Sequence, residues 1–147
     1  MGLFDSFFGT EKSSQEMAVQ EAFAGILLGA AASDGHIADE EAEGLWTILA
    51  RMKMFESWTG QKFSTMMDKL VKILKRKDVD GLLDRCAAAL PRKLHETAFA
   101  NACDIVLADG VVEPEEEEFL ENLQRKLDVS GDEALTIVEV MIIKNKG

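Results

Sequence analysis

One acidic octet occurs twice in this chain. Asp34-Gly35-His36-Ile37-Ala38-Asp39-Glu40-Glu41 and Asp109-Gly110-Val111-Val112-Glu113-Pro114-Glu115-Glu116 share acid, glycine, apolar and acid positions at an offset of 75 residues. The same offset carries Leu45 onto Leu120, Ile48 onto Leu123 and Met52 onto Leu127. Glycine supplies the backbone angle that ends a helix, the following apolar residue packs the turn, and a glutamate near the third helical position favours the next N-terminus. Each copy therefore reads as a helix-loop-helix elbow. The repetition predicts an all-α fold in two pseudo-symmetric halves, and 147 residues at 47% hydrophobic composition are enough for one core.

The rest of the pattern is also helical. No stretch alternates apolar and polar residues over strand length, and tyrosine is absent. About seven helices are expected in a single domain over residues 13–147, preceded by an apolar segment and linker over 1–12. The first opens at a Ser13/Glu16 capping box and runs to about Ser33. The second spans about Asp39 to Lys53, burying Ala42, Leu45, Ile48, Leu49 and Met52, and the third about Thr59 to Arg76 over Phe63, Met66, Met67, Leu70, Ile73 and Leu74. A short helix from about Val79 ends before Pro91. Pro91 opens the next, which Gly110 stops, and Pro114 opens one to about Leu127. Ser130 with Glu133 caps the last, whose buried face is Ala134, Ile137, Val138, Met141 and Ile142.

The net charge of −11 argues against indiscriminate nucleic-acid binding. It is unevenly spread. Residues 51–93 hold 11 basic and 5 acidic residues, a balance of +6, and the remainder carries −17. Lys69, Lys72, Lys75, Arg76 and Lys77 form a basic belt able to dock an anionic partner. Two cysteines are too few for a disulfide scaffold, and the uncharged run from Ala22 to Ser33 is far short of the ~20 residues of a membrane helix. The expectation is a cytoplasmic protein. Leu3, Phe4, Phe7 and Phe8 give the N-terminal segment an apolar surface for the core, a partner or the face of the inner membrane.

Asp34 and Asp109 are the residues that helix capping leaves over. A carboxylate in a helix's last turn faces the negative end of the dipole, unfavourable by about 0.3–1 kcal/mol, and its recurrence beside other acids calls for a positive counter-charge. Asp-Gly-x-apolar-x-x-x-Glu has the spacing of the second half of an EF-hand loop, but the upstream ligand positions fall on Ala30, Ala32, Ile105 and Leu107, which excludes a complete EF-hand. Asp104 adds an acid near the second elbow where the first has Gly29. A site built from oxygen ligands there would take Ca2+, Mg2+ or Mn2+ in preference to zinc. The second elbow is the expected stronger site.

The paired elbow, with small residues before it and a Leu-rich helix after it, resembles the TerB family, the helical domain of bacterial tellurite-resistance and stress-response systems. The resemblance covers about Met17 to Ile143. It implies an all-helical fold, a divalent-metal site carried over onto Asp34, Glu41, Asp104, Asp109 and Glu116, and partners among other stress-response proteins. A metal-free scaffold docking partners through the basic belt is the alternative. A carboxylate-based hydrolase is the weaker third reading, since no nucleophile motif or phosphate-binding glycine loop is present. His36 and His95 read as unrelated surface residues, and Cys86 and Cys103 as small buried thiols.

Overall fold

The computed structural model describes residues 17–33, 39–108 and 110–147, with the backbone alone for 39–42. The expected Ser13/Glu16 capping box, the apolar residues Leu3, Phe4, Phe7 and Phe8, the elbow residues Asp34 to Ala38 and Asp109, and the side chain of Glu41 therefore lie outside what is described. All regular structure among the described residues is helical: α1 (Val19–Ala31), α2 (Asp39–Leu49), α3 (Gly60–Ala89), α4 (His95–Val106), α5 (Pro114–Lys126) and α6 (Gly131–Lys144), with 3-10 turns at Lys53–Phe55 and Arg92–Leu94.

Helix α1 organises the rest. Its residues Ala22 through Ala30 are all buried, so it has no solvent face over more than two turns. A helix that is apolar all round must be enclosed on every side, and α1 packs on α2, α3 and α4. Gly25 and Gly29 let neighbours approach closely: a Cβ on Gly25 would lie 2.4 Å from Cys86 Sγ. The uncharged run thus serves as the axis of a core, and among the described residues no helix is long and apolar enough to cross a membrane. Helix α1 begins later than its capping signal predicts. Ala18 is extended and Met17 is buried with its sulfur 3.7 Å from Cys86 Sγ, so tucking Met17 inward sets the helix start at Val19.

Three further departures have local causes. Helix α2 stops at Leu49 instead of about Lys53, because the chain turns to bury Phe55 against the core, its ring 5.0 Å from that of Trp58. The two helices expected over 59–90 follow each other within α3 with no loop between them, separated by a break at Asp78, which is non-helical at φ 68° and ψ 179°; with α3 counted once, the described residues hold six helices. Asp78 Oδ1 accepts a hydrogen bond from the Gly81 N–H at 2.9 Å, which caps the segment beyond the break in the manner of an N-cap aspartate. Gly81 is needed there, since a Cβ would meet Lys77 Cβ at 2.7 Å. Finally, Ile142 is 52% exposed and does not join the core, while Ala134 is buried and Ile137, Val138 and Met141 are half-buried.

The C-terminal half follows its capping chemistry closely. Gly110 takes a positive φ of 76°, Pro114 is the first residue of α5, and Ser130 Oγ accepts from the Glu133 N–H. Helix α5 ends with Asp128 at φ 52° and paired bonds from Asp128 N–H to Arg125 O and from Val129 N–H to Gln124 O, a Schellman closure. His95 is no bystander. Its Nδ1 lies 2.8 Å from Leu127 O and its Nε2 2.9 Å from Leu90 O, so the ring ties the end of α5 to the end of α3.

Candidate functional site

Helix segments flanking both elbows line one cleft. Ala31 and Ser33 at the end of α1, and Gly44, Leu45 and Ile48 of α2, form one wall of a cavity of about 460 Å³. Asp104 and Ala108 near the end of α4, Glu116 of α5, and Lys144 and Asn145 at the end of α6 form the other. The first wall is mostly apolar and the second polar. Segments 75 residues apart in the chain thus face a common space because α1 and α4 pack side by side.

Asp104 and Glu116 are the two sequence-predicted ligands that the structure places at this cleft. Asp104 Oδ1 accepts from Lys144 Nζ at 3.1 Å and from Asn145 Nδ2 at 2.9 Å. Glu116 stands at the third position of α5, and its Oε1 accepts from the Glu113 N–H at 2.9 Å, half of a capping box. Asp34, Asp109 and the side chain of Glu41 lie outside what is described, and among the described residues no group of three or more histidine, cysteine or acidic side chains is placed to hold a metal ion. The backbone around the second elbow does loosen. Helix α4 ends at Val106, and tight bonds from Ala108 N–H to Ile105 O and from Gly110 N–H to Leu107 O replace the helical ones.

Lys144 and Asn145 are the site residues that the sequence reading missed. A lysine in the last turn of a helix is explained by the dipole alone, and its pairing with Asp104, 40 residues earlier, has no local signal. Its consequence is direct: one of the two described candidate carboxylates at the cleft already has an ammonium beside it.

The basic belt is a second feature. Lys69, Lys72, Arg76 and Lys77 line one groove of about 940 Å³, joined by Arg85, with Asp68 the acid among the lining residues. Lys75 instead faces the neighbouring groove that contains Trp46 and Phe63. Lys69 is partly neutralised by Glu21, at 2.7 Å. In the part of α3 beyond Asp78, Lys126 reaches back from α5 to Asp80 at 3.1 Å and to Asp84. The Asn122 hydrogen bond, then Lys126, lowers the Asp80 pKa below its ordinary 3.8.

Neither thiol is poised for chemistry. Burial pushes both Cys86 and Cys103 up to about 12, so the thiolate is scarce at neutral pH. A disulfide reagent at pH 8 is expected to leave both cysteines unmodified in the folded protein and to titrate both in denaturant. Rapid labelling of either one in the native state would contradict this placement.

These features define a class: a module that is all-helical among its described residues, in which the helix ends flanking two acidic segments of sequence line one cleft. Comparison of the chain with protein-family models, with curated proteins and with solved structures finds no match.

Proposed function

We propose that the chain is a TerB-like stress-response module of the cytoplasm that binds a hard divalent cation where its two elbows meet. The observation that supports this reading most is the shared cleft with Asp104 and Glu116 on one wall and the end of α1 on the other. In this reading the two halves are pseudo-symmetric and each contributes an elbow, Asp34 and Glu41 from the first and Asp104, Asp109 and Glu116 from the second. The second elbow is the tighter. Carboxylate oxygens favour Ca2+, Mg2+ or Mn2+, and the cation has to displace Lys144 from Asp104. Few protein ligands and a resident ammonium both point to weak binding, with a dissociation constant of about 10⁻⁵ to 10⁻³ M.

Linkage supplies the test. With ~10 mM cation and a dissociation constant near 1 mM, the folded state gains roughly 1.4 kcal/mol. A rise of a few degrees in melting temperature is expected for a chain of this size. Asp109→Asn should abolish it, Asp34→Asn should largely retain it, and Lys144→Met should enlarge it by freeing Asp104. A melting temperature indifferent to all three cations would remove the reading.

The alternative, a metal-free scaffold docking an anionic partner, is supported by the gathering of Lys72, Arg76, Lys77 and Arg85 along one groove. Charges on a solvated surface contribute little to stability. Reversing Lys72, Arg76 and Lys77 to glutamate should therefore leave the helical circular-dichroism signal intact while abolishing recovery of the partner. Undiminished recovery would return the groove to ordinary surface.

A further inference from the structure

The large apolar side chains that the described residues leave exposed are confined to two short stretches. Val111 and Val112 lie within the second elbow, and Leu135, Val140, Ile142 and Ile143 lie on α6. A concentration of this kind on a small protein marks a contact surface more often than chance exposure does. Three elements shape it into a groove of about 420 Å³. Phe99 and Leu107 of the α4 region and Leu120 of α5 form its floor, and Val112, Leu135 and Ile142 its open edge. Leu135, Val138 and Ile142 fall within about 60° of one another around α6 at 100° per residue. That stripe is two turns long and adjoins Ala134 and Met141, which pack against the core, Ala134 also lining the groove.

The rim of the groove is acidic. Glu117 and Glu121, one turn apart on α5, line it, and Glu139 lies one turn from Leu135 on α6. Glu133 in the first turn of α6 and Glu96 in the first turn of α4 are close enough to interact through a shared hydrogen bond. That bond, then the charge of Glu96, raises the Glu133 pKa above its ordinary 4.5. Two carboxyls placed together on a surface are relieved by a cation from outside. From Leu94 to Gly147 the chain carries 13 acidic and 4 basic residues, a balance of −9.

We propose that this groove docks an amphipathic helix of another protein, with an apolar stripe that fills the groove and lysines or arginines that meet its acidic rim. Charge decides among the occupants. A second copy packed about a twofold axis would set Glu117 and Glu121 against the same residues of its partner, and like charges across an interface are repulsive. The chain's own first 16 residues supply the needed phenylalanines but contain Asp5, Glu11 and Glu16 against Lys12 alone, the wrong sign for this rim. A basic amphipathic helix satisfies both the floor and the rim, the groove-and-helix mode of peptide recognition.

The test uses the full chain and a fluorescein-labelled helical peptide with leucines at i, i+3, i+4 and i+7 flanked by lysines. A matched peptide with glutamates in place of the lysines is the control. Fluorescence anisotropy at low salt should show the basic peptide binding at least tenfold more tightly than the acidic one. Leu135→Asp and Ile142→Asp should each weaken it tenfold or more. Attraction to an acidic protein by charge alone would leave these variants equal or tighter, since each adds a negative charge, and that result would overturn the groove. Leu135→Ser gives the same reading without a new charge should the aspartate variant lose helix content. Equal affinity for both peptides, a dimer in sedimentation that Leu135→Asp dissolves, or tighter peptide binding after Phe4→Asp and Phe7→Asp would each overturn the proposed occupant. The last two results would assign the groove to a second copy or to the chain's own N-terminal segment.

Discussion

Gly25→Ala is expected to destabilise the fold by about 1–3 kcal/mol, although alanine is the better helix former by about 1 kcal/mol. The added Cβ would stand 2.4 Å from Cys86 Sγ and 3.3 Å from Leu70 Cδ2, on a helix enclosed on all sides. Neither neighbour has open space behind it, because Cys86 and Leu70 are themselves fully buried. The remedy is specific. Cys86→Ala removes the nearer obstacle, so the double variant should recover much of the loss, with a coupling of about 0.5–3 kcal/mol in urea unfolding. Gly44→Ala is the control, since a Cβ there meets nothing within 4 Å and the change should be neutral or stabilising. Simple additivity of Gly25→Ala and Cys86→Ala would show that α1 does not press on α3 at this point.

Leu123→Ala should lower stability by about 2–5 kcal/mol, and Ile48→Ala by less than half as much. The two positions are equivalent under the 75-residue repeat, and strict symmetry would make their effects equal. Leu123 is fully buried, but Ile48 is half-buried and lines the cleft. The difference arises because α2 buries Leu45 and Leu49, whereas α5 buries Phe119, Leu120 and Leu123. The apolar stripe of α2 is thus rotated relative to that of α5. Equal losses measured by denaturant unfolding would contradict this asymmetry.

What could be read from the sequence was mostly what local chemistry decides. Gly110, Pro114 and Ser130 mark helix ends that the structure places where their backbone preferences require. The backbone break at Asp78 falls between the helices expected to end near Arg76 and begin near Val79. The missed features depend on packing between distant segments. The run from Ala22 to Ala30 gave its lack of charge away, but only the surrounding helices make it the central axis. Phe55, in a stretch with no helical period, is held by the core and by Trp58. Ile142 fits an amphipathic stripe yet faces outward, because α6 lies over α4 with Ala134 and Met141 inward.

The candidate site divides in the same way. Glu116 was legible as a residue of an N-terminal turn, and its bond to the Glu113 N–H bears out that position. Asp104 was legible as an acid near the elbow, but the Lys144 and Asn145 that hold it come from the far end of the chain. The shared cleft between the end of α1 and the end of α4 is likewise a product of how these two helices pack.

Backbone NMR of the chelator-treated protein during calcium, magnesium or manganese titration tests the cation site most directly. A cation taken up between the elbows should move or broaden the amide resonances of Asp104, Gly110 and Glu116 saturably, at concentrations of about 10⁻⁵ to 10⁻³ M. The Lys144 side chain should shift with them as it is displaced from Asp104, and the resonances of α3 should stay in place. If all three cations leave Gly110 and Lys144 unmoved up to ~10 mM, the elbows are helix caps, Asp104 belongs to a structural ion pair, and the shared cleft has no part in binding metal.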